Sequence, residues 1–138
     1  MTRLAVAGAL TLALAIAGCA EIEATEIEAR LTEASITLQS TRAEPGVIRF
    51  RIDNVGTEVH EFEIFAGATP GMVLPVSSNV ADTTGLRVVD EIENLFPGGQ
   101  GTLTVDLRPG TYLVICNLPG HYELGMSTTI TVAAGGGG

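Results

Sequence analysis

The run Thr102-Leu103-Thr104-Val105-Asp106-Leu107-Arg108-Pro109-Gly110-Thr111-Tyr112 is a strand, a turn and the start of a second strand. Leu103, Val105 and Leu107 alternate with Thr102, Thr104 and Asp106, the period of a half-buried strand. Pro109 is pre-bent and Gly110 tolerates a positive φ, so Arg108-Pro109-Gly110 turns the chain. Tyr112 to Cys116 then begins a new β-rich run. The same grammar recurs on both sides. Glu26 to Leu31 alternates, and Ile36 and Leu38 continue its pattern. In Val47 to Ile52 the apolar face is Ile48, Phe50 and Ile52. In Val59 to Phe65 the residues Phe62 and Ile64 share a face with His60. Leu86 to Ile92 is a weaker run, and Thr128 to Val132 completes the set. Further turns are Glu44-Pro45-Gly46, Asn54-Val55-Gly56 and Pro97-Gly98-Gly99. Short alternating runs with Gly-Pro punctuation predict an all-β sandwich or barrel of about seven to eight strands.

Residues 67–82 form a long connection, and a helical turn is expected near Val80 to Thr84. Residues 134–138 are expected to be a flexible glycine tail. The length, 138 residues, suits one domain and excludes a multi-domain enzyme, a large barrel or a long solenoid. Sixteen acids face seven basic residues, all Arg, for a net charge of −9. Without a basic cluster such a chain is a poor nucleic-acid binder. Glu21, Glu23, Glu26, Glu28 and Glu33 are expected to form a solvated face and tether.

Met1-Thr2-Arg3 followed by the apolar run to Gly18 reads as an export signal, because a bilayer span needs about 20 apolar residues. The ending Ile16-Ala17-Gly18-Cys19 resembles the lipobox of bacterial lipoproteins. That resemblance implies cleavage of residues 1–18 and lipid on Cys19. Residues 19–25 would then be a tether, at most about 25 Å long at roughly 3.3–3.6 Å per residue. The domain proper would be residues 26–133. With Cys19 lipidated, Cys116 is the one remaining thiol, so no internal disulfide can form.

Cys116, His121 and Met126 follow one another with four residues in each gap, on a loop between two strands. His60, the other histidine, opens an earlier strand. A thiolate, two imidazoles and a thioether are the donors of a type 1 copper site. Taken singly, Cys116 reads as a buried thiol, the histidines as half-exposed polar residues and Met126 as core filler. Met72, in an apolar loop tip, is a rival thioether.

Three motifs resemble the cupredoxins, the blue copper family of plastocyanin, azurin and rusticyanin. They are Asn54-Val55-Gly56-Thr57-Glu58-Val59-His60-Glu61-Phe62, the segment Pro97-Gly98-Gly99-Gln100 through Leu107-Arg108-Pro109-Gly110-Thr111-Tyr112, and the Cys116 to Met126 loop. The resemblance covers most of residues 26–133 and implies a Greek-key sandwich. It implies one copper held by His60, Cys116 and His121, with Met126 as axial ligand. In many members an Asn or Ser follows the first His and ties the two ligand loops. Here Glu61 stands there, so Asn117 or backbone groups must make that tie.

The resemblance implies a one-electron carrier rather than an enzyme. Both histidines are used by one centre, so none remain for further copper sites or a hydrolytic triad. His121 is the expected electron port, within an apolar patch drawn from Leu118, Pro119, Leu124 and residues 72–75. Partners would be redox proteins, such as a cytochrome or a membrane oxidase or reductase, met by a monomer. The place would be the periplasmic or cell-surface face of a bacterial membrane. Two other readings stand beside it: copper handling, with the metal as cargo, and a metal-free assembly module.

Overall fold

The computed structural model describes residues 23–135. The proposed signal peptide, Cys19 and most of the tether lie outside the described residues, as do Gly136 to Gly138. Among the described residues, eleven strands and one short helix follow in order. They are β1 (Thr25–Thr32), β2 (Ser35–Leu38), β3 (Arg42–Ala43), β4 (Gly46–Asn54), β5 (His60–Ala68), β6 (Val76–Ser77), β7 (Val80–Ala81), β8 (Arg87–Leu95), β9 (Gln100–Leu107), β10 (Gly110–Ile115), α1 (His121–Leu124) and β11 (Ser127–Val132). One sheet has the order β2-β1-β4-β9 and the other β3-β11-β10-β5-β8. Both are mixed, because β1 runs parallel to β4 and β11 parallel to β3.

The alternation read from sequence is the alternation that builds the core. Ile27, Ala29 and Leu31 of β1, Ile48, Phe50 and Ile52 of β4, and Leu103, Val105 and Leu107 of β9 face inward from one sheet. Phe62 and Ile64 of β5, Tyr112 and Val114 of β10, and Ile130 and Val132 of β11 meet them from the other. Phe50 and Phe62 touch across the gap at a ring separation of 5.5 Å. Each fully buried side chain of this size contributes about 1.5–3 kcal/mol.

Three expectations change. Ile36 and Leu38 do not prolong β1. The chain reverses at Glu33-Ala34, and β2 pairs antiparallel with Leu31 opposite Ile36. The weak run becomes a full nine-residue edge strand, β8, extending to Leu95. The helical turn near Val80 to Thr84 is absent, and Val80 and Ala81 instead pair with Val76 and Ser77 in a small hairpin. Its tip, Ser78 and Asn79, takes left-handed φ values of 53° and 65°, which the Asn side chain tolerates. β-branched Val76 and Val80 then favour strand over helix.

The long connection has a structural task. Phe65, Leu113 and Ile115 point to the outer face of the second sheet, and Leu74 and Ala81 of the connection cover them. The turns of strand polarity place four segments at one end of the sandwich. These are the β1–β2 turn, residues 55–59, residues 96–99 and the loop from Cys116 to Met126.

Candidate metal centre

β5 delivers His60 and β10 delivers Cys116 to this end, and α1 begins at His121. A single turn of helix forms because Gly120 and Gly125 take left-handed φ values of 87° and 115° at its two ends. The Gly125 amide closes that turn on the Tyr122 carbonyl at 3.0 Å. The three side chains converge. His60 Nδ1 lies 3.2 Å from His121 Nδ1, and Cys116 Sγ lies 3.4 Å from the same nitrogen. Among the described residues this is the one grouping of three such donors, all within 4.8 Å of one another.

Backbone contacts hold the loop. Cys116 N–H donates to the Met126 carbonyl at 3.2 Å, and Met126 N–H to the His121 carbonyl at 3.1 Å. Met126 is fully buried in the same core cluster as Cys116. Met72 instead packs against the outer-face cluster of Phe65, Leu74, Leu113 and Ile115. The rival thioether therefore serves a different layer of the fold.

One backbone bond joins the two ligand strands in place of the expected side chain after His60, and Asn117 braces the loop from another side. The Glu61 backbone N–H donates to Cys116 Sγ at 3.2 Å, joining the two ligand strands directly. Asn117 accepts from Ala81 N–H at 2.8 Å through Oδ1 and donates to the Ala81 carbonyl at 3.2 Å through Nδ2. The ligand loop is thus fastened to the β6–β7 hairpin. Gly120 N–H adds a bond of 2.7 Å to the Asn79 carbonyl. Asn54 organises the other approach: its Nδ2 donates to the carbonyls of Glu58 and Leu95, each at 2.7 Å.

Burial favours a neutral His60 and a protonated Cys116 thiol. Burial pushes the His60 pKa down, helped by the neighbouring His121. Burial pushes the Cys116 thiol up against the opposing amides of Glu61 and Leu118. Cys116 would release its proton and serve as a thiolate on binding a metal cation. Two imidazole nitrogens and one sulfur, with no carboxylate between them, are donors for a borderline or soft metal. The residues present fit copper.

Beyond the ligands, the surface differs from the expectation in detail. Leu124 and Pro119 are exposed, whereas Leu74 is buried and Leu118 packs on the core. Leu74 is drawn in because the long connection must cover Ile115 and Leu113. Phe96, at 64% exposure, and Val55 are exposed on loops at the same end of the sandwich, which hydropathy alone did not mark. The His121 side chain is 12% exposed. Glu33 and Glu26, expected in a solvated face, keep substantial exposure, while Glu33 also reaches the amides of Thr57 and Glu58 and Glu26 pairs with Arg49 at 2.6 Å.

No family model matches the sequence, and no curated protein is significantly similar to it. Solved structures do match. Dithionite-reduced auracyanin from the photosynthetic bacterium Roseiflexus castenholzii superimposes with a TM-score of 0.59 at 23% identity, covering 80% of this chain and 98% of that one. Auracyanin B gives 0.57 at 26% identity, covering 83% and 93%. Auracyanin A, a "blue" copper protein of Chloroflexus aurantiacus, gives 0.58 at 21%, covering 80% and 100%. The fold is that of the cupredoxins. Rusticyanin matches too, with a TM-score of 0.57 over 78% of both chains. Multicopper oxidases share this cupredoxin fold as a part, this chain covering 44% of one of them.

Proposed function

We propose that this cupredoxin holds one type 1 copper through His60, Cys116 and His121, with Met126 as the axial thioether, and carries single electrons. The observation that carries the reading is the convergence of two imidazoles and a buried thiol at the loop end of the sandwich, all within 4.8 Å. Bound copper would supply a one-electron couple.

The chain's own residues do the rest. Sheet hydrogen bonds on both sides of the loop hold the donors in one arrangement, so little has to move when charge changes. Cys116 and His60 are fully buried and keep water from the centre. That enclosure favours retention of the metal over its delivery as cargo. His121 alone reaches the surface, and Pro119, Leu124, Phe96 and Val55 give an apolar rim for transient docking.

The partners we infer are redox proteins, a cytochrome or a membrane oxidase or reductase, met outside the cytoplasm near the membrane that anchors Cys19. The test is a redox titration of the copper-loaded protein followed by stopped-flow oxidation. Reversible one-electron cycling with copper retained supports the reading. Rapid loss of Cu(I) to a competing chelator would favour copper handling instead. For the tether, Cys19→Ala should move the protein from the membrane to the soluble fraction, and unchanged fractionation would remove the anchor.

A further inference from the structure

Nδ1 of both histidines faces the centre, so both Nε2 atoms face outward. On His121 that outer nitrogen lies 3.4 Å from the exposed Glu58 carboxylate. On His60 it is buried and has no hydrogen-bond partner. The nearest acid is Glu33, whose Oε1 lies 3.9 Å away.

Glu33 is not there by sequence proximity. It sits in the β1–β2 turn and crosses to residues 55–59, where Thr57 N–H, Thr57 Oγ1 and Glu58 N–H converge on its Oε1. All three donors meet at Oε1, so the lone pairs left for a further donor are those of Oε2. Gly56 makes the approach possible: a Cβ there would collide with the Glu33 carboxylate and come within 3.0 Å of His60 Nε2. The same turn touches the other ligand loop, since a Cβ at Gly125 would meet the Ala34 carbonyl at 2.6 Å.

We infer that Glu33 is the positioning carboxylate of the metal centre, accepting the Nε2–H of His60 and so fixing the ring with Nδ1 free for the metal. The inference deepens the copper reading and rests on it for the effect on potential. The 3.9 Å separation must shorten by about 1 Å to reach hydrogen-bond length. Metal-bound imidazoles commonly donate their second N–H to an outer acceptor, which fixes the tautomer and raises ligand basicity. Here that acceptor comes from a different hairpin, and Gly56 is the residue that lets it in.

The test uses wild type, Glu33→Gln, Glu33→Ala and Gly56→Ala, first without metal and then with copper. In metal-free protein, nitrogen NMR of His60 should show the Nε2–H tautomer in wild type. It should show a mixed population, with faster Nε2–H exchange, in Glu33→Ala and Gly56→Ala. With copper, Glu33→Gln keeps an acceptor for the Thr57 and Glu58 amides but loses the charge. Its potential should rise, and Cu(II) affinity in Glu33→Ala should fall by roughly 10-fold or more. An unchanged tautomer and exchange rate in Glu33→Ala would overturn the inference. So would a lowered melting temperature with an unchanged potential in Glu33→Gln, the result of a purely structural tie. A wild type that takes up no copper would sink the copper reading alone, because the metal-free tautomer still decides the role of Glu33.

Discussion

Glu61 joins the metal centre through its backbone: its N–H lies 3.2 Å from Cys116 Sγ. The bond links the strand that carries the first histidine to the strand that carries the thiol. It depends on backbone geometry, so it does not require any particular side chain at Glu61. An N–H directed at sulfur favours the thiolate and opposes the burial that raises Cys116.

Replacing Asn117 with Ala should loosen the centre without touching a ligand. The change removes both bonds to Ala81 and leaves that residue's N–H and carbonyl to find new partners. The cost should be about 1–3 kcal/mol. Urea unfolding should report the lost stability, and copper should pass faster to a chelator. An unchanged midpoint and release rate would show that the hairpin does not brace the loop.

Glu63 makes stability depend on pH. Burial first, then the neighbouring Glu61 and Glu91 carboxylates, raise its carboxyl from 4.5 to about 7. Glu63 and Glu91 are directly opposed across β5 and β8. A raised carboxyl keeps a proton when folded that the unfolded chain releases, so stability falls as pH rises through that window. Glu63→Gln should therefore stabilise the metal-free protein above about pH 7, by on the order of 1–2 kcal/mol once partial exposure is discounted. The gain should vanish below the ordinary value of 4.5. Denaturation midpoints measured across pH check this, and equal slopes for variant and wild type would contradict it.

Met126 and Met72 should separate cleanly. Met126 is buried with Cys116, while Met72 lies against the outer-face cluster. Met126→Leu nearly conserves volume and should cost under about 1.5 kcal/mol. Colour should survive and the potential should shift upward, because a donor that favours Cu(II) is lost. Met72→Leu should leave the potential unchanged. A shift confined to the Met72 variant would reverse the assignment.

Much of this was legible in the chain because two independent signals coincide. The period of two in β1, β4 and β9 marks inward faces, and those residues are the buried ones. The spacing of Cys116, His121 and Met126 marks the ligand loop, and the fold brings Cys116 and His121 together with the distant His60. Other features leave no such trace. The reversal at Glu33-Ala34 has neither Gly nor Pro, so β2 reads as more of β1. β8 lies at a sheet edge with most of its side chains exposed, which blurs its alternation. Leu74 and Met72 look like an exposed tip until the outer face of β10 is seen to need a cover. Glu33 looks like one more solvated acid, since its partners Thr57 and Glu58 are distant in sequence. Pairwise contacts between far segments are what hydrophobic periodicity cannot encode.

The visible spectrum of the copper-loaded protein, taken beside its Cys116→Ser variant, tests the central claim most directly. Wild type should bind one copper per chain and show an intense thiolate-to-copper band that bleaches on one-electron reduction and returns on oxidation. The variant should keep the sheet signal in circular dichroism and lose the band. A wild type that binds copper without colour, or a band that persists in Cys116→Ser, would contradict the account.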